Sequence, residues 1–160
     1  MTRGRVRPTT FKVRKIEERD ERRWRHLFDA YTRFYEREPN DALTDHTWAR
    51  IMNARVPVYA IVAEGVHQGD VMGIANYIIH ESTSTRTPVC YLQDLFVEPG
   101  KRGAGVGRLL IDWLVAEMAA ARWARIYWHT RENNYRARGL YDTYTPHSGF
   151  LRYVIMNPLA

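Results

Sequence analysis

The chain is short of cysteine and of long apolar runs. Its 160 residues include a single cysteine, Cys90, so no disulfide can form within the chain. A membrane-spanning helix needs roughly 20 consecutive apolar residues, and no stretch of this sequence approaches that length. No apolar segment of the signal-peptide type opens the sequence either. These absences argue against a disulfide-stabilised extracellular scaffold and against an integral membrane protein, and they predict a reducing compartment, the cytoplasm.

The sequence also lacks the ligand spacing of a metal site. Its histidines show no close metal-ligand spacing, so we predict no metal. They are His26, His46, His67, His80, His129 and His147. Cys90 stands among Val89, Tyr91 and Leu92 in an apolar segment, without an evident base beside it. That setting is typical of a small core residue and not of a nucleophilic thiol.

Positive charge, by contrast, is in excess. Lysine and arginine number 24 against 18 acidic residues, which gives a net charge of +6. A nucleic-acid partner, a polyanionic small molecule such as a nucleotide cofactor, and a basic surface without a specific role all fit this charge. Residues 1–8, MTRGRVRP, form an arginine-rich head that we expect to be disordered. Residues 9–160 have a length that suits a single domain.

The spacing of apolar residues predicts an α+β fold. Alternation from Phe11 predicts a first strand, and a helical pattern follows from Asp20 to the helix-ending Pro39. Thr44 is expected to cap a second, short helix. Residues 56–64, 71–80 and 89–97 predict an antiparallel meander, and a helix follows the glycines after Val97. A short strand at 126–128, a helix from Asn133 or Asn134, and a last strand at 150–155 complete the order β-α-α-β-β-β-α-β-α-β, a mixed and mostly antiparallel sheet flanked by helices.

The most informative segment is the glycine-rich turn that joins the third meander strand to the next helix. Gly103, Gly105 and Gly107 stand where that helix begins. The first N–H groups of a helix have no partner within it and lie at the positive end of its dipole, which makes a site suited to a pyrophosphate. Arg102 and Arg108 would add charge-assisted contacts to such an anion.

Three other kinds of glycine-rich turn fit this segment to different degrees. A plain tight turn fits the glycines equally well. A Walker-type loop requires Lys-Ser or Lys-Thr after the last glycine, and this sequence has neither. A dinucleotide-binding turn requires a parallel βαβ unit and an acidic residue about 20 positions further on. Here the preceding strands have an antiparallel pattern, and residues 122–125 are basic.

Two segments together resemble the GNAT superfamily of N-acetyltransferases. The stretch VCYLQDLFVEPGKRGAGVGRLLIDWL contains a loop of the form Gln/Arg-x-x-Gly-x-Gly/Ala, which Arg102, Gly105 and Gly107 match. The later stretch YWHTRENNYRARGLYD contains an asparagine followed seven residues later by a tyrosine, matched by Asn134 and Tyr141. With weaker similarity in the front half, the resemblance covers the chain from about Phe11 to Tyr153.

The resemblance implies an enzyme that moves an acetyl group from acetyl-CoA to a primary amine. It also implies that the third meander strand splays from the next strand, so that pantetheine lies in the cleft between them while the pyrophosphate lies on the glycine-rich turn. Carried over position by position, the cofactor-binding residues are Leu95, Phe96, Val97, Arg102, Gly103, Ala104, Gly105, Val106, Gly107, Arg108 and Asn134.

Acetyl transfer needs a neutral amine, a polarised thioester and a proton for the departing thiolate. The resemblance implies that Tyr141 supplies that proton, since a phenol keeps its proton more firmly than a thiol does. Asp94 is the candidate base, with a buried structural carboxylate as the alternative. Gln93 cannot take a proton, and strand alternation sends Gln93 and Asp94 to opposite faces unless a bulge intervenes. Glu36, Glu38 and His80 are weaker candidates.

The acceptor is expected to be a small-molecule amine in preference to a protein, with Phe34, Tyr35 and Gln93 lining its pocket; core packing is the alternative for the two aromatics. We expect direct transfer in a ternary complex, because no cysteine is placed to carry the acetyl group. A homodimer is a further option, since dimers are common among small enzymes. The competing function is a non-catalytic module that binds a nucleotide or nucleic acid through the basic turn. The aromatic residues, however, follow helix and strand faces and not a basic exposed sheet.

Overall fold

The computed structural model describes residues 10–67 and 69–159. The predicted basic head, residues 1–8, lies outside the described residues. Two compact units are present: one extends to His129, and the other begins at Thr130. We describe each unit by itself, and the single domain expected from residue 9 onward stays a prediction. Within the described ranges, no helix is both long enough and apolar enough to cross a membrane.

The first unit is built on a five-stranded sheet in the order β1-β2-β3-β4-β5. The first four strands pair antiparallel as a meander, and β5 pairs with β4 in parallel. The mixed, mostly antiparallel sheet predicted from the sequence is therefore confirmed. The strands are β1 (Phe11–Lys15), β2 (Val58–Gly65), β3 (Val71–His80), β4 (Val89–Val97) and β5 (Ile126–Tyr127).

Helices α1 (Glu21–Phe34) and α2 (Asp41–Met52) pack on one face of this sheet, and α3 (Val106–Ala121) packs on the other. Trp24 and Leu27 of α1 are fully buried in a cluster with Ile74 and Phe96 of the sheet. On the opposite face, α3 approaches β3 at Gly73 so closely that a Cβ there would lie 2.8 Å from a Val106 methyl. A glycine is therefore required for this helix to lie against the sheet.

The start of α2 differs from the expected one. The helix begins at Asp41, and the side-chain oxygen of Asn40 accepts the Leu43 N–H at 3.0 Å. Asn40 is therefore the cap, whereas Thr44 is buried within the helix. Asparagine is among the strongest N-cap residues, and its position adds a full turn ahead of Thr44.

The second unit contains one helix, α4 (Tyr135–Tyr141), with Asn134 at its N-cap position. The strand predicted at 150–155 is wrong, since these residues form no strand. Its side chains are exposed, with Phe150 at 91% and Tyr153 at 89%. A strand is stabilised by hydrogen bonds to a neighbour, and alternation of apolar residues in one segment does not supply that neighbour.

Candidate active site

The centre of β4 contains a β-bulge at Gln93. On β3, Asn76 pairs with Asp94 and the next residue, Tyr77, pairs with Leu92, so Gln93 has no partner of its own. Asp94 therefore lies on the face of Asn76, and Leu92 lies on the opposite face with Tyr77, although the two are only two residues apart. The alternation of the sequence requires a bulge here if Gln93 and Asp94 are not to lie on opposite faces, and the structure contains that bulge.

Asp94 lies in a buried hydrogen-bond network at this bulge. Its side chain is 8% exposed and accepts the Asn76 Nδ2–H at 3.0 Å. Asn76 in turn accepts the indole N–H of Trp24 through Oδ1 at 3.0 Å. The Tyr31 hydroxyl donates to the main-chain oxygen of Gln93 at 3.4 Å and also interacts with the Asp94 carboxyl. The network therefore links α1 to both β3 and β4.

Burial shifts the proton-binding groups of this network in the same direction. Desolvation raises the pKa of Asp94, and the hydrogen bonds from Asn76 and Tyr31 offset only part of that rise. The pKa of Tyr31 is raised as well, first by burial and then by the negative charge of Asp94. Asp94 consequently takes up a proton at a higher pH than an ordinary aspartate does. A raised pKa of this kind is what a carboxylate needs to act as a base near neutral pH.

The edge of β4 that faces β5 is open over most of its length. The pairing joins Cys90 to Ile126 and Tyr91 to Tyr127, and β5 ends there. Among the strands that the structure describes, none pairs with Leu95, Phe96 or Val97 on that side. The splay of these two strands stays a prediction. The Glu98 N–H bonds to Met72 on β3, so by alternation the main-chain groups of Leu95 and Val97 face away from β3, and the Val97 carbonyl there accepts from Arg102.

The glycine-rich turn follows directly from the end of β4. Gly103 and Gly105 have φ values of 86° and 82°, in the left-handed region that favours glycine, and Gly105 is the N-cap of α3. A Cβ added at either position would meet nothing within 4 Å. Because the protein's own atoms leave this space open beside a helix N-terminus, the residues present fit a pyrophosphate-bearing cofactor.

The two arginines of the turn differ in their placement. Arg108 is exposed on α3. Arg102 turns back onto the strand end, where its Nε donates to the Val97 carbonyl at 3.2 Å. Its guanidinium lies 5.2 Å from the ring centre of Phe96 and 5.6 Å from that of Phe34. Both distances fall within the range of a cation–π contact.

The predicted acceptor residues of the first unit lie around the end of α1. The Tyr35 ring packs edge-on against Tyr31 at 5.0 Å and against Phe34 at 5.2 Å. Through Tyr31, this group reaches the main chain of Gln93, whose side chain is exposed. The structure therefore brings Tyr35, Gln93 and Asp94 to one neighbourhood, with Phe34 towards the glycine-rich turn.

Asn134 and Tyr141 belong to the second unit. The Asn134 side chain donates to the Thr130 hydroxyl at 3.0 Å. Tyr141 is the last residue of α4 and is half-buried. A spacing of seven residues places the two on nearly one side of the helix axis, about two turns apart.

Cys90 has the environment of a core residue. Its side chain is fully buried, and burial raises the pKa of its thiol to about 12. A thiol that holds its proton so firmly is a poor nucleophile at neutral pH.

A second group of polar side chains lies on the sheet, in which His80 was a weaker candidate base and its partner Tyr127 was not predicted from the sequence. His80 Nε2 lies 2.7 Å from the Tyr127 hydroxyl, and the Tyr127 ring stacks on Tyr91 at 5.0 Å. Tyr31 and Asn76 were also missed as partners of Asp94. The available signal was the period-2 pattern of β3, which places Asn76 and His80 on the same face.

A family model and a relative of known activity both match most of this chain. The model of the Acetyltransferase (GNAT) family matches residues 21–144. The D-amino-acid N-acetyltransferase HPA3 of Saccharomyces cerevisiae is 31% identical to the chain over 129 residues, which is 81% of this chain and 80% of that protein.

Solved structures share the fold. The ribosomal-protein-alanine N-acetyltransferase of Brucella melitensis biovar Abortus 2308 superposes with a TM-score of 0.73 over 92% of this chain and 99% of its own, at 19% identity. AAC(6')-Iy, solved in complex with the bisubstrate analog CoA-S-monomethyl-acetylneamine, gives a TM-score of 0.75 over 92% and 98% of the two chains, at 18% identity. At such identities the likeness concerns the fold alone.

Proposed function

The chain belongs to the GNAT family of acetyltransferases, and we propose that it moves the acetyl group of acetyl-CoA to the primary amine of a small molecule, by direct transfer in a ternary complex. The observation that carries the proposal is the open edge of β4 running into the glycine-rich turn at the start of α3. An extended polar chain that ends in a pyrophosphate matches this combination of a strand edge and a helix N-terminus.

The groups that would hold acetyl-CoA are mostly main-chain groups. Leu95 to Val97 are proposed to line the pantetheine arm, with the main-chain groups of Leu95 and Val97 on the side away from β3, and the turn from Arg102 to Arg108 is proposed to offer N–H groups at the positive end of α3. Asn134 is proposed to contact the cofactor from α4. When bound, acetyl-CoA supplies an activated thioester. A main-chain N–H near the Gln93 bulge is proposed to polarise its carbonyl oxygen.

Two side chains are proposed to handle protons. Asp94 accepts a proton from the acceptor nitrogen, supported by its place at the bulge and by the raised pKa of its carboxyl. Tyr141 donates a proton to the departing thiolate, supported by its spacing from Asn134. Because a phenol is a weaker acid than a thiol, Tyr141 enters each cycle protonated.

For the acceptor, we propose an amino acid or a similar small amine that also carries a carboxylate. The relative from Saccharomyces cerevisiae bears the name of a D-amino-acid N-acetyltransferase, which supports this class. The net charge of +6 also disfavours a strongly cationic acceptor, unless its pocket is locally acidic. Phe34, Tyr35 and Gln93 are the residues proposed to contact the acceptor.

The direct test is thiol release from acetyl-CoA in the presence of separate amines. The panel is a D-amino acid, its L-enantiomer, spermidine, an aminoglycoside, an arylalkylamine and a lysine-containing peptide. We expect amine-dependent release, fastest with an amino acid. Binding of acetyl-CoA without release for any amine would instead support a non-catalytic nucleotide-binding module.

The kinetic pattern tests direct transfer. Varying both substrates should give intersecting lines in double-reciprocal plots, and Cys90→Ala should retain most of the activity because the buried thiol carries no acetyl group. Parallel lines, or an acetylated Cys90 detected by mass spectrometry, would contradict direct transfer.

A further inference from the structure

The side chains of His80 and Tyr127 form a hydrogen-bonded pair. The atoms that contact the two His80 ring nitrogens determine which nitrogen carries the proton. His80 Nδ1 lies 2.7 Å from the main-chain oxygen of Glu81, and Nε2 lies 2.7 Å from the Tyr127 hydroxyl. A carbonyl oxygen can only accept, so Nδ1 carries the proton. In the neutral imidazole Nε2 then has a free electron pair, and the Tyr127 O–H donates to it.

This pair lies where β4 and β5 part. Tyr127 is the last residue of β5, and its partner Tyr91 is the last residue of β4 that β5 pairs with. Tyr91 pairs with Ile78 on β3, and Asp94 pairs with Asn76. Since these β3 residues are two apart, the Tyr91 position lies only about 7 Å from the Asp94 position along the strand.

The pair also lies on the same face of the sheet as Asp94. Asn76, Ile78 and His80 alternate onto one face of β3, and antiparallel partners share a face. His80 and Tyr127 are half-buried, whereas Asp94 is 8% exposed. Solvent therefore reaches the His80–Tyr127 pair more readily than it reaches Asp94.

The proposed reaction requires more proton transfer than one carboxylate can provide. An amine that arrives as an ammonium loses one proton before it attacks and a second as the amide forms. Asp94 can hold only one of these. A side chain near the bulge that takes the other proton, and returns it to solvent in every cycle, would let the enzyme use the ammonium form that predominates near pH 7.

We propose that Tyr127 is a further catalytic residue of this enzyme and deprotonates the ammonium form of the acceptor. His80 positions the Tyr127 hydroxyl and accepts the proton that Tyr127 gives up. This inference rests on the proposed acetyl transfer to an amine. It assigns the first proton to the Tyr127–His80 pair and the second to Asp94.

The transfer balances without any additional reagent. The ammonium N–H proton passes to the Tyr127 oxygen while the Tyr127 O–H proton passes to His80 Nε2. The amine leaves this step neutral, Tyr127 is unchanged, and His80 becomes an imidazolium that loses its proton to water. The amine nitrogen then bonds to the acetyl carbon as the carbon–sulfur bond breaks. The second nitrogen proton passes to Asp94, and the thiolate takes a proton from Tyr141. Asp94 releases its proton and Tyr141 regains one through solvent before the next cycle, so one proton leaves the enzyme overall, through His80.

The groups around the His80–Tyr127 pair are compatible with proton transfer from Tyr127 to His80. The Arg125 guanidinium lies 5.9 Å from the Tyr127 ring centre, and the His129 ring lies 6.0 Å from it. Burial raises the pKa of Tyr127, with Arg125 acting in the opposite sense and Cys90 in the same sense. Tyr127 therefore keeps its proton at neutral pH and remains a donor to His80.

The test compares Tyr127→Phe and His80→Gln with the wild-type protein over a range of pH, using the amine that releases thiol fastest. Tyr127→Phe keeps the ring that stacks on Tyr91 and removes only the hydroxyl. We expect kcat/KM for the amine to fall by about 10²–10⁴-fold near pH 7 in both variants. The loss should shrink as pH rises towards the pKa of the amine, because the amine then deprotonates without help. The acetyl-CoA dissociation constant should stay unchanged.

Two further variants sharpen the result. The double variant should be no slower than either single variant, because the two side chains act as one unit. His129→Gln is the matched control, because the His129 ring packs edge-on against Tyr127 at 6.0 Å and its Nδ1 lies 3.3 Å from the Tyr91 hydroxyl, whereas the Tyr127 hydroxyl donates to His80. It should retain the wild-type rate and pH profile.

The outcomes separate this proposal from the broader one. Suppose that the wild-type protein releases thiol with an amine, and that kcat/KM of Tyr127→Phe and of His80→Gln stays within about threefold of wild type with the same pH profile. That change is well below the usual contribution of a base. The Tyr127–His80 proposal is then wrong, and acetyl transfer stands. If the wild-type protein releases no thiol with any amine, the proposed function fails and this inference fails with it.

Discussion

At the scale of single residues, the two side chains proposed to transfer protons, Asp94 and Tyr141, differ in their burial. Asp94 is buried behind Asn76 and Tyr31, and the pKa of its carboxyl is raised by that burial. Tyr141 is half-buried at the end of α4. Each has a variant that removes its proton chemistry while leaving its shape nearly intact, namely Asp94→Asn and Tyr141→Phe.

Tyr141→Phe is expected to lower kcat by about 10²–10⁴-fold, the usual contribution of a positioned acid. The ring remains, so packing and the acetyl-CoA dissociation constant should change little. Steady-state kinetics and calorimetric titration of acetyl-CoA measure the two quantities. Tyr135→Phe is a matched control, because Tyr135 begins the same helix and is 74% exposed. A kcat within threefold of wild type, when chemistry limits the rate, would make Tyr141 structural.

The residue-level arrangement around Asp94 was only partly predictable. Asp94 stays a predicted base, whereas the bulge that this role requires is present in β4, as the alternation of Gln93 and Asp94 indicated it would have to be. The partners were not identified. Trp24 lies 52 positions from Asn76, and Asn76 lies 18 positions from Asp94, so their contacts exist only once α1 covers the sheet.

At the scale of elements, the close contact between α3 and β3 depends on the absence of a Cβ at Gly73. Gly73 faces the buried Val106 and Leu110, and a Cβ there would lie 2.8 Å and 3.3 Å from their methyl carbons. These methyls belong to fully buried residues in a close-packed layer, so they have little freedom to move away.

Gly73→Ala is therefore expected to lower the free energy of unfolding by about 1–3 kcal/mol, as overpacking does elsewhere. Urea denaturation measures the change. Gly139→Ala is the control, since a Cβ at this α4 position meets nothing within 4 Å, and the variant should be neutral or slightly stabilising. Adding Val106→Ala to Gly73→Ala should recover part of the loss. Equal stability of Gly73→Ala and wild type would contradict the packing argument.

Element boundaries show where sequence patterns suffice and where they do not. Strands β3 and β4 match the predicted ranges, because turn residues bracket strongly apolar segments. The predicted strand at 150–155 does not form, because a strand requires a partner and the pattern of one segment does not reveal one. The α2 cap was misplaced because Thr44 and Asn40 are both good caps and only the tertiary structure selects between them.

At the scale of the molecule, a buried ionic cluster ties β1, β2 and the turn before α1 together. The Arg14 guanidinium donates to both carboxyl oxygens of Asp20, at 2.7 and 2.8 Å, and through Nε to Glu64 at 2.9 Å. Burial raises the pKa of Asp20, but its hydrogen bonds with Arg14 and Glu17 outweigh that effect and lower it overall. The hydrogen bond from Arg14 likewise lowers the pKa of Glu64.

This cluster predicts a loss of stability in acid. Carboxylates whose pKa is depressed by folding stabilise the native state above their ordinary values near 4, and this contribution is lost as pH falls through the lowered values. Arg14→Met should lower the free energy of unfolding at pH 7 by about 3 kcal/mol, because it removes the buried cation shared by two buried carboxylates and leaves Asp20 the Glu17 N–H and Glu64 the exposed Lys12. The difference from wild type should narrow below about pH 4, as those carboxylates take up protons.

Urea denaturation at pH 7 and pH 3 measures both effects. Lys12→Met is the control, because Lys12 contacts the same Glu64 at 3.3 Å from a side chain that is 61% exposed, and exposed pairs contribute at most about 1 kcal/mol. An Arg14→Met protein that is as stable as wild type at pH 7 would contradict the stabilising role of the Arg14 cluster.

The cytoplasmic location, the homodimer and the disordered head of residues 1–8 stay predictions.

The short β5 has a consequence for association of the protein with itself. A strand edge with unpaired N–H and C=O groups can accept another strand, and natural proteins protect such edges to avoid aggregation. Among the strands in residues 10–67 and 69–159, β5 pairs with Cys90 and Tyr91 of β4 and no strand continues that pairing, so an extended chain could add to the edge up to the Val97 carbonyl, which accepts from Arg102. A ligand that occupied this edge would also shield it. Protein purified with its ligand should then tolerate concentration better than ligand-free protein, and light scattering during storage would show the difference.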